Sequence, residues 1–93
     1  MKVHERFLKY VKIDTQSVPD AEKIPSSEKQ KDLGKLLVEE MISMGIQDAY
    51  MDENGYVYGT VEGNTDAPVI GFIAHMDTSP DMPGNNVKPK IIY

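Results

Sequence analysis

Apolar positions open the chain with a helical period. Val3, Phe7 and Val11 fall four apart, with Leu8 and Tyr10 beside them, while Lys2, Glu5, Arg6, Lys9 and Lys12 take the other side. This spacing predicts a short amphipathic helix over 3–13. The polar stretch 14–26 contains Pro19 and Pro25 and reads as a loop. A second helix is predicted from Ser27, which is placed to cap it, with Gln30 three residues on as in a capping box. Leu33, Leu36, Leu37, Met41 and Met44 form its apolar stripe, and Gly45 stands where a C′ residue would end it.

The period then changes. Residues 48–52 read as a short strand and Asn54-Gly55 as a type I′ hairpin turn, with 56–61 returning as an aromatic and β-branched strand. After a loop over 63–68, Val69 to Ala74 is a continuous apolar run. Lacking alternation, it predicts a central strand covered on both faces. His75-Met76-Asp77 stands at its C-terminal end. The segment Thr78 to Lys90 holds three prolines, one glycine and two asparagines and reads as loop. Ile91-Ile92-Tyr93 looks like the start of a further element. The predicted fold is α/β: two helices, a β-hairpin, then a central strand.

Composition narrows the function classes. Ninety-three residues make one small domain, and 40% hydrophobic content is within the globular range. A net charge of -5 argues against nucleic acid and against an anionic membrane surface. The absence of cysteine excludes disulfides, thiolate metal sites and a cysteine nucleophile. The charged N-terminus is followed by no apolar h-region, and no apolar run approaches the ~20 residues that span a bilayer. A soluble, cytoplasmic setting is expected.

His75 and Asp77 carry the functional signal. Histidine is a common metal ligand near neutral pH, and ligands of open α/β sheets bind beyond the carboxyl ends of strands. Two residues apart in extended chain, the pair faces one side. The imidazole can then coordinate through one nitrogen while a carboxylate accepts a hydrogen bond from the other. The alternative is a histidine capping a strand end through the same aspartate. Whether Asp77 reaches the ring depends on the turn geometry.

Other candidates read as structural. His4 sits among charges at a helix start. Thr15, Gln16 and Ser17 lack a base and suit turn hydrogen bonding, with a substrate role as the lesser alternative. Asp81 either lines a site entrance or shapes its turn. Tyr50, Tyr56 and Tyr58 suit cross-strand packing. Met41, Met44, Met76 and Met82 read as core or loop residues, and Glu39, Glu40, Asp52 and Glu53 as solvated charge. Gly55, Gly59, Gly63 and Gly71 do not make a phosphate loop.

Four stretches together carry a family resemblance. They are Glu5 to Ser17 (ERFLKYVKIDTQS), Asp52 to Tyr58 (DENGYVY), Ile70 to Asp81 (IGFIAHMDTSPD) and Asn86 to Pro89 (NVKP). The chain resembles the N-terminal part of the tripeptide aminopeptidase (peptidase T) branch of the di-zinc M20 metallopeptidases. The resemblance implies that residues 1–93 open a catalytic domain, with the rest of it and a smaller lid domain lying elsewhere. It implies that His75 binds one of two zinc ions and that Asp77 is the catalytic-site carboxylate orienting it. The bridging carboxylate, the glutamate base and the other ligands would come from later sequence.

The function this implies is zinc-dependent release of the N-terminal residue of tripeptides. The 93 residues alone are expected to be inactive and to self-associate through an exposed strand edge. The same-class alternative is a dipeptidase or N-acyl amino acid deacylase, and the different-class one a non-catalytic binding or assembly module.

Overall fold

The computed structural model describes residues 2–93; Met1 lies outside the described residues. Helix α1 spans Val3–Tyr10, shorter than the predicted 3–13. After Val11 the chain turns, with Ile13 N–H donating to the Tyr10 carbonyl at 3.0 Å. The Asp14 carboxylate then accepts from the Gln16 N–H at 3.0 Å, an Asx-type turn that competes with helical pairing. Helix α1 buries none of its residues, and Val3 and Phe7 are 85% and 62% exposed. Polar side chains fasten it: Arg6 and the Tyr10 hydroxyl reach Glu40 on the second helix at 3.1 and 2.8 Å.

Helix α2 spans Gln30–Ser43. Its start corrects the expected cap. The Ser27 hydroxyl donates to the Gln16 carbonyl at 2.9 Å instead of capping. The chain approaches α2 through tight turns, in which Gln30, Lys31 and Asp32 N–H groups bond the carbonyls three residues back. The C-terminus is as expected. Gly45 takes φ +96°, its N–H bonds the Ile42 carbonyl at 3.0 Å, and Ile46 N–H bonds the Met41 carbonyl at 2.9 Å. This is a Schellman closure, with glycine at the left-handed position. Leu33 is buried while Met44, read as part of the stripe, is exposed.

The hairpin pairs β1 (Tyr50–Met51) antiparallel with β2 (Val57–Tyr58), Tyr50 opposite Tyr58. Its turn is not the expected type I′. The register leaves three residues between the Asp52–Tyr56 pair, and of Asn54 and Gly55 only Gly55 has positive φ (+85°). Gly55 N–H bonds the Asp52 carbonyl at 3.0 Å, giving a turn followed by a left-handed glycine. The Asp52 carboxylate accepts from Asn54 and Tyr56 N–H, both at 2.9 Å, so it is a turn-forming group, not free solvated charge. The Tyr50 and Tyr58 rings stack 5.1 Å apart, as the cross-strand reading expects. Helix α2 packs on this hairpin at Gly34, where an added Cβ would come within 2.7 Å of Met51 Sδ.

The predicted central strand is absent. Val69 to Ala74 makes no backbone–backbone hydrogen bond, and Val69, Phe72 and Ile73 are 99%, 96% and 101% exposed. A buried strand needs a ladder neighbour for its amides and a cover for each face. The two-residue strands β1 and β2 pair only with each other, and neither helix covers the run. The hydrophobic core is correspondingly thin, with Leu33, Ala49 and Pro25 the only buried apolar side chains among the described residues. The radius of gyration is 15.2 Å, where a compact chain of this length would have about 12 Å. No described helix is long and apolar enough to cross a membrane.

Candidate functional site

The residues 75–78 are held by the loop that follows α1. Ser17 N–H donates to the Thr78 carbonyl at 2.9 Å, and Thr78 N–H donates to the Thr15 carbonyl at 3.1 Å. Gln16 and Thr78 thus form a parallel bridge between segments about sixty residues apart. Thr15 is buried at 3% exposure. The Gln16 side-chain amide donates to the carbonyls of Pro80 and Met82 at 2.9 and 3.0 Å. Asp14 completes the support: one oxygen takes the Gln16 N–H and the other pairs with Lys29 Nζ at 2.8 Å. The Lys29 ammonium, and then the Gln16 N–H, hold the Asp14 carboxyl below its ordinary value.

Above this support, the ring of His75 turns back onto Asp77. Its Nδ1 lies 2.9 Å from Asp77 Oδ1 and 3.0 Å from the Asp77 backbone carbonyl oxygen. An ionised carboxylate and a carbonyl both only accept, so in the neutral ring Nδ1 carries the proton. The lone pair then sits on Nε2, the tautomer that coordinates a metal through that nitrogen. The His75 side chain is 85% exposed, leaving that face of the ring open.

The peptide between Asp77 and Thr78 links the two layers. Its N–H is taken by Thr15 and its carbonyl by His75. In a trans peptide these groups lie in one rigid plane and point in opposite directions within it. Fixing one end on the Thr15 loop therefore aims the other at the imidazole. Two open clefts, of about 710 and 630 Å³, are both lined by Ala74–Asp77 and Leu37.

As a donor set this is one imidazole with its second nitrogen held by a carboxylate. It fits a single ligand position of a zinc site. No group of three or more His, Asp or Glu side chains suited to a metal forms among the described residues. His4 lies exposed on α1. Asp81 shapes its turn, its N–H and carboxylate both bonding the Ser79 hydroxyl at 3.2 Å. Glu40, expected as solvated charge, is buried at 8% exposure and takes both Arg6 and Tyr10. Burial there raises the Tyr10 hydroxyl pKa, and Glu40 adds to the effect.

Sequence reasoning assigned Thr15, Gln16 and Ser17 to a turn and missed their reach to Thr78–Met82. The only signal was that they share the family resemblance with the His75 stretch, and periodicity says nothing of such a contact. Asp14 shares that resemblance stretch, and Lys29 carried no signal at all.

No protein-family model matches the chain. Among curated proteins it is 57% identical over 89 residues to a peptidase T of Bacillus pumilus, covering 94% of this chain and 22% of that protein. It is 55% identical over 92 residues to a peptidase T of Alkaliphilus oremlandii, covering 95% and 22%. A peptidase T of Clostridium perfringens is 52% identical over 93 residues, covering 98% and 23%. The chain spans less than a quarter of the length of these relatives. Along nearly all of its own length the chain is therefore similar, at 52–57% identity, to a part of proteins named peptidase T.

Proposed function

We propose that these residues are the N-terminal part of the catalytic domain of a cytoplasmic, zinc-dependent aminopeptidase that releases the N-terminal residue of tripeptides. The observation that carries the reading is the His75–Asp77 pair, with Nδ1 held at 2.9 Å and Nε2 free to coordinate. The identity to proteins named peptidase T supports the peptidase class.

In this reading His75 holds one zinc ion through Nε2. Asp77 keeps the proton on Nδ1, fixes the ring plane and raises the basicity of the ligating nitrogen. Zinc, when bound, supplies polarisation of the scissile carbonyl and a water acidic enough to serve as nucleophile near neutral pH. One histidine leaves most of a tetrahedral site unfilled. The further ligands and the general base therefore come from sequence beyond these residues, and the 93 residues alone do not turn over substrate.

The test is hydrolysis of a free tripeptide by the complete protein that carries this segment, beside the 93-residue chain. The reading expects chelator-sensitive release of the N-terminal residue by the former, lost on His75→Ala, and none by the latter. Turnover indifferent to chelator and to His75→Ala would refute it. A preference for dipeptides or N-acyl amino acids over tripeptides would move the assignment to those activities.

A further inference from the structure

We propose that Gln16 is a positioning residue: by clamping the Thr78–Met82 loop it orients the Asp77–Thr78 peptide and so selects the tautomer of His75. The catalytic meaning of this role rests on the function proposed above, but the clamp itself is stated in geometry alone.

Every hydrogen-bonding group of Gln16 except its side-chain carbonyl is engaged. Its backbone N–H goes to Asp14 Oδ1 at 3.0 Å, and its backbone carbonyl accepts the Ser27 hydroxyl at 2.9 Å. The side-chain nitrogen has two N–H groups, and they reach two carbonyls, those of Pro80 and Met82. With both donors committed, Gln16 has none left for a substrate. Its work is to hold one segment onto another.

The loop it holds lies tightly on the support. At Gly84 an added Cβ would come within 2.5 Å of Asp14 Oδ1 and 3.4 Å of Gln16 Cβ, so a side chain there would displace the Asp14 carboxylate. The Gln16 amide secures the loop two and four residues after Thr78. The backbone bonds of Thr78 to Thr15 and Ser17 secure it at Thr78 itself. Without the amide bonds, the Thr15–Thr78–Ser17 bridge stands alone on an exposed segment. Among the described residues it is then the only backbone restraint on the peptide whose carbonyl faces His75 Nδ1. A freed peptide can rotate, taking its carbonyl from Nδ1 and loosening the Asp77 carboxylate carried on the same residue, so that part of the population shifts its proton to Nε2, where it blocks coordination.

A residue that merely stabilises the chain would act differently. Tyr10 also bonds across segments, through Glu40, but among the described residues it makes no hydrogen bond to the 14–17 loop or to residues 75–78. It supplies the control.

The experiment is NMR on the metal-free chain, reading the His75 ring nitrogens by long-range proton–nitrogen correlation and amide exchange at Thr78. The variants are Gln16→Glu, which keeps the size but removes both donors, Gln16→Ala, and Tyr10→Phe. Wild type is expected as a single Nδ1–H tautomer. Both Gln16 variants are expected to give a mixture and to speed Thr78 exchange about tenfold, the scale of one lost net hydrogen bond. Tyr10→Phe should leave both readouts unchanged. An unaltered tautomer and unaltered Thr78 exchange in both Gln16 variants would overturn the proposal, as would equal changes in Tyr10→Phe. Neither readout uses zinc or turnover. A clamp confirmed in a segment whose complete protein cleaves no peptide would therefore count against the functional reading alone.

Discussion

The Nδ1 atom of His75 lies 2.9 Å from Oδ1 of Asp77, and the Asp77 carbonyl lies on the same nitrogen at 3.0 Å. Two acceptors on one ring nitrogen leave the other as the only place for a metal. Asp77→Ala removes the carboxylate and keeps the carbonyl. In the complete protein it is expected to weaken zinc binding by about 10- to 100-fold, the usual effect of losing such an orienting carboxylate. Competition against a chelator of known affinity measures this. Unchanged affinity would remove Asp77 from the site.

Glu40 joins the two helices. It is nearly buried and serves Arg6 and Tyr10 together, with Lys9 4.0 Å away. Glu40→Ala leaves the Arg6 guanidinium and the Tyr10 hydroxyl without their partner. Arg6 is a quarter exposed, so water offsets part of the loss, and the expected cost is about 1–2 kcal/mol. Tyr10→Phe removes one hydrogen bond and should cost about 1 kcal/mol. Urea unfolding followed by the helical signal checks both. A Glu40→Ala midpoint equal to wild type would mean that α1 contributes nothing to stability.

Acid should loosen two ties. The Asp14 carboxyl is held below its ordinary 3.8 by Lys29, and the Asp48 carboxyl below the same value by its Thr60 hydrogen bonds. Each group is depressed in the folded chain. The stability it adds is therefore fully present above the unfolded value and is lost as pH falls through the folded one. The Gln16 and Thr60 amides should keep their shifts down to about pH 4 and move below it. Movement already at pH 6 would point to a different titrating group.

The run Val69–Ile73 is expected to drive self-association. Six uncharged residues from Val69 to Ala74, without proline and with free backbone groups, make a self-pairing strand edge. Sedimentation velocity across a concentration series should show growing oligomers. Phe72→Lys and Ile73→Lys should shift the chain toward monomer. A wild-type chain that stays monomeric at high concentration would contradict this.

Local sequence signals were legible where the structure depends on neighbours in the chain. Gly45 and the Leu33 stripe marked α2 and its end, and Asn54-Gly55 marked a hairpin. The turn type was missed because Asp52, by binding two amides of the turn, favours a three-residue loop. The central strand was predicted and is absent because an apolar run reports only what would bury it, and neither helix nor hairpin supplies that cover. At the site, His75 and Asp77 were legible from type, spacing and family resemblance. Gln16 was not, because its partners lie 64 and 66 residues away. Glu40 was misread because sequence places it beside Glu39 on α2 and is silent on α1 folding over it.

We propose that His75 presents Nε2 to a metal while Asp77 keeps the proton on Nδ1. The most direct measurement is the nitrogen spectrum of the His75 ring at neutral pH, before and after excess zinc. A proton on Nδ1 is expected at the outset, with zinc moving the Nε2 resonance and leaving that proton in place. A proton on Nε2, or an Nε2 resonance that zinc does not move, would contradict it.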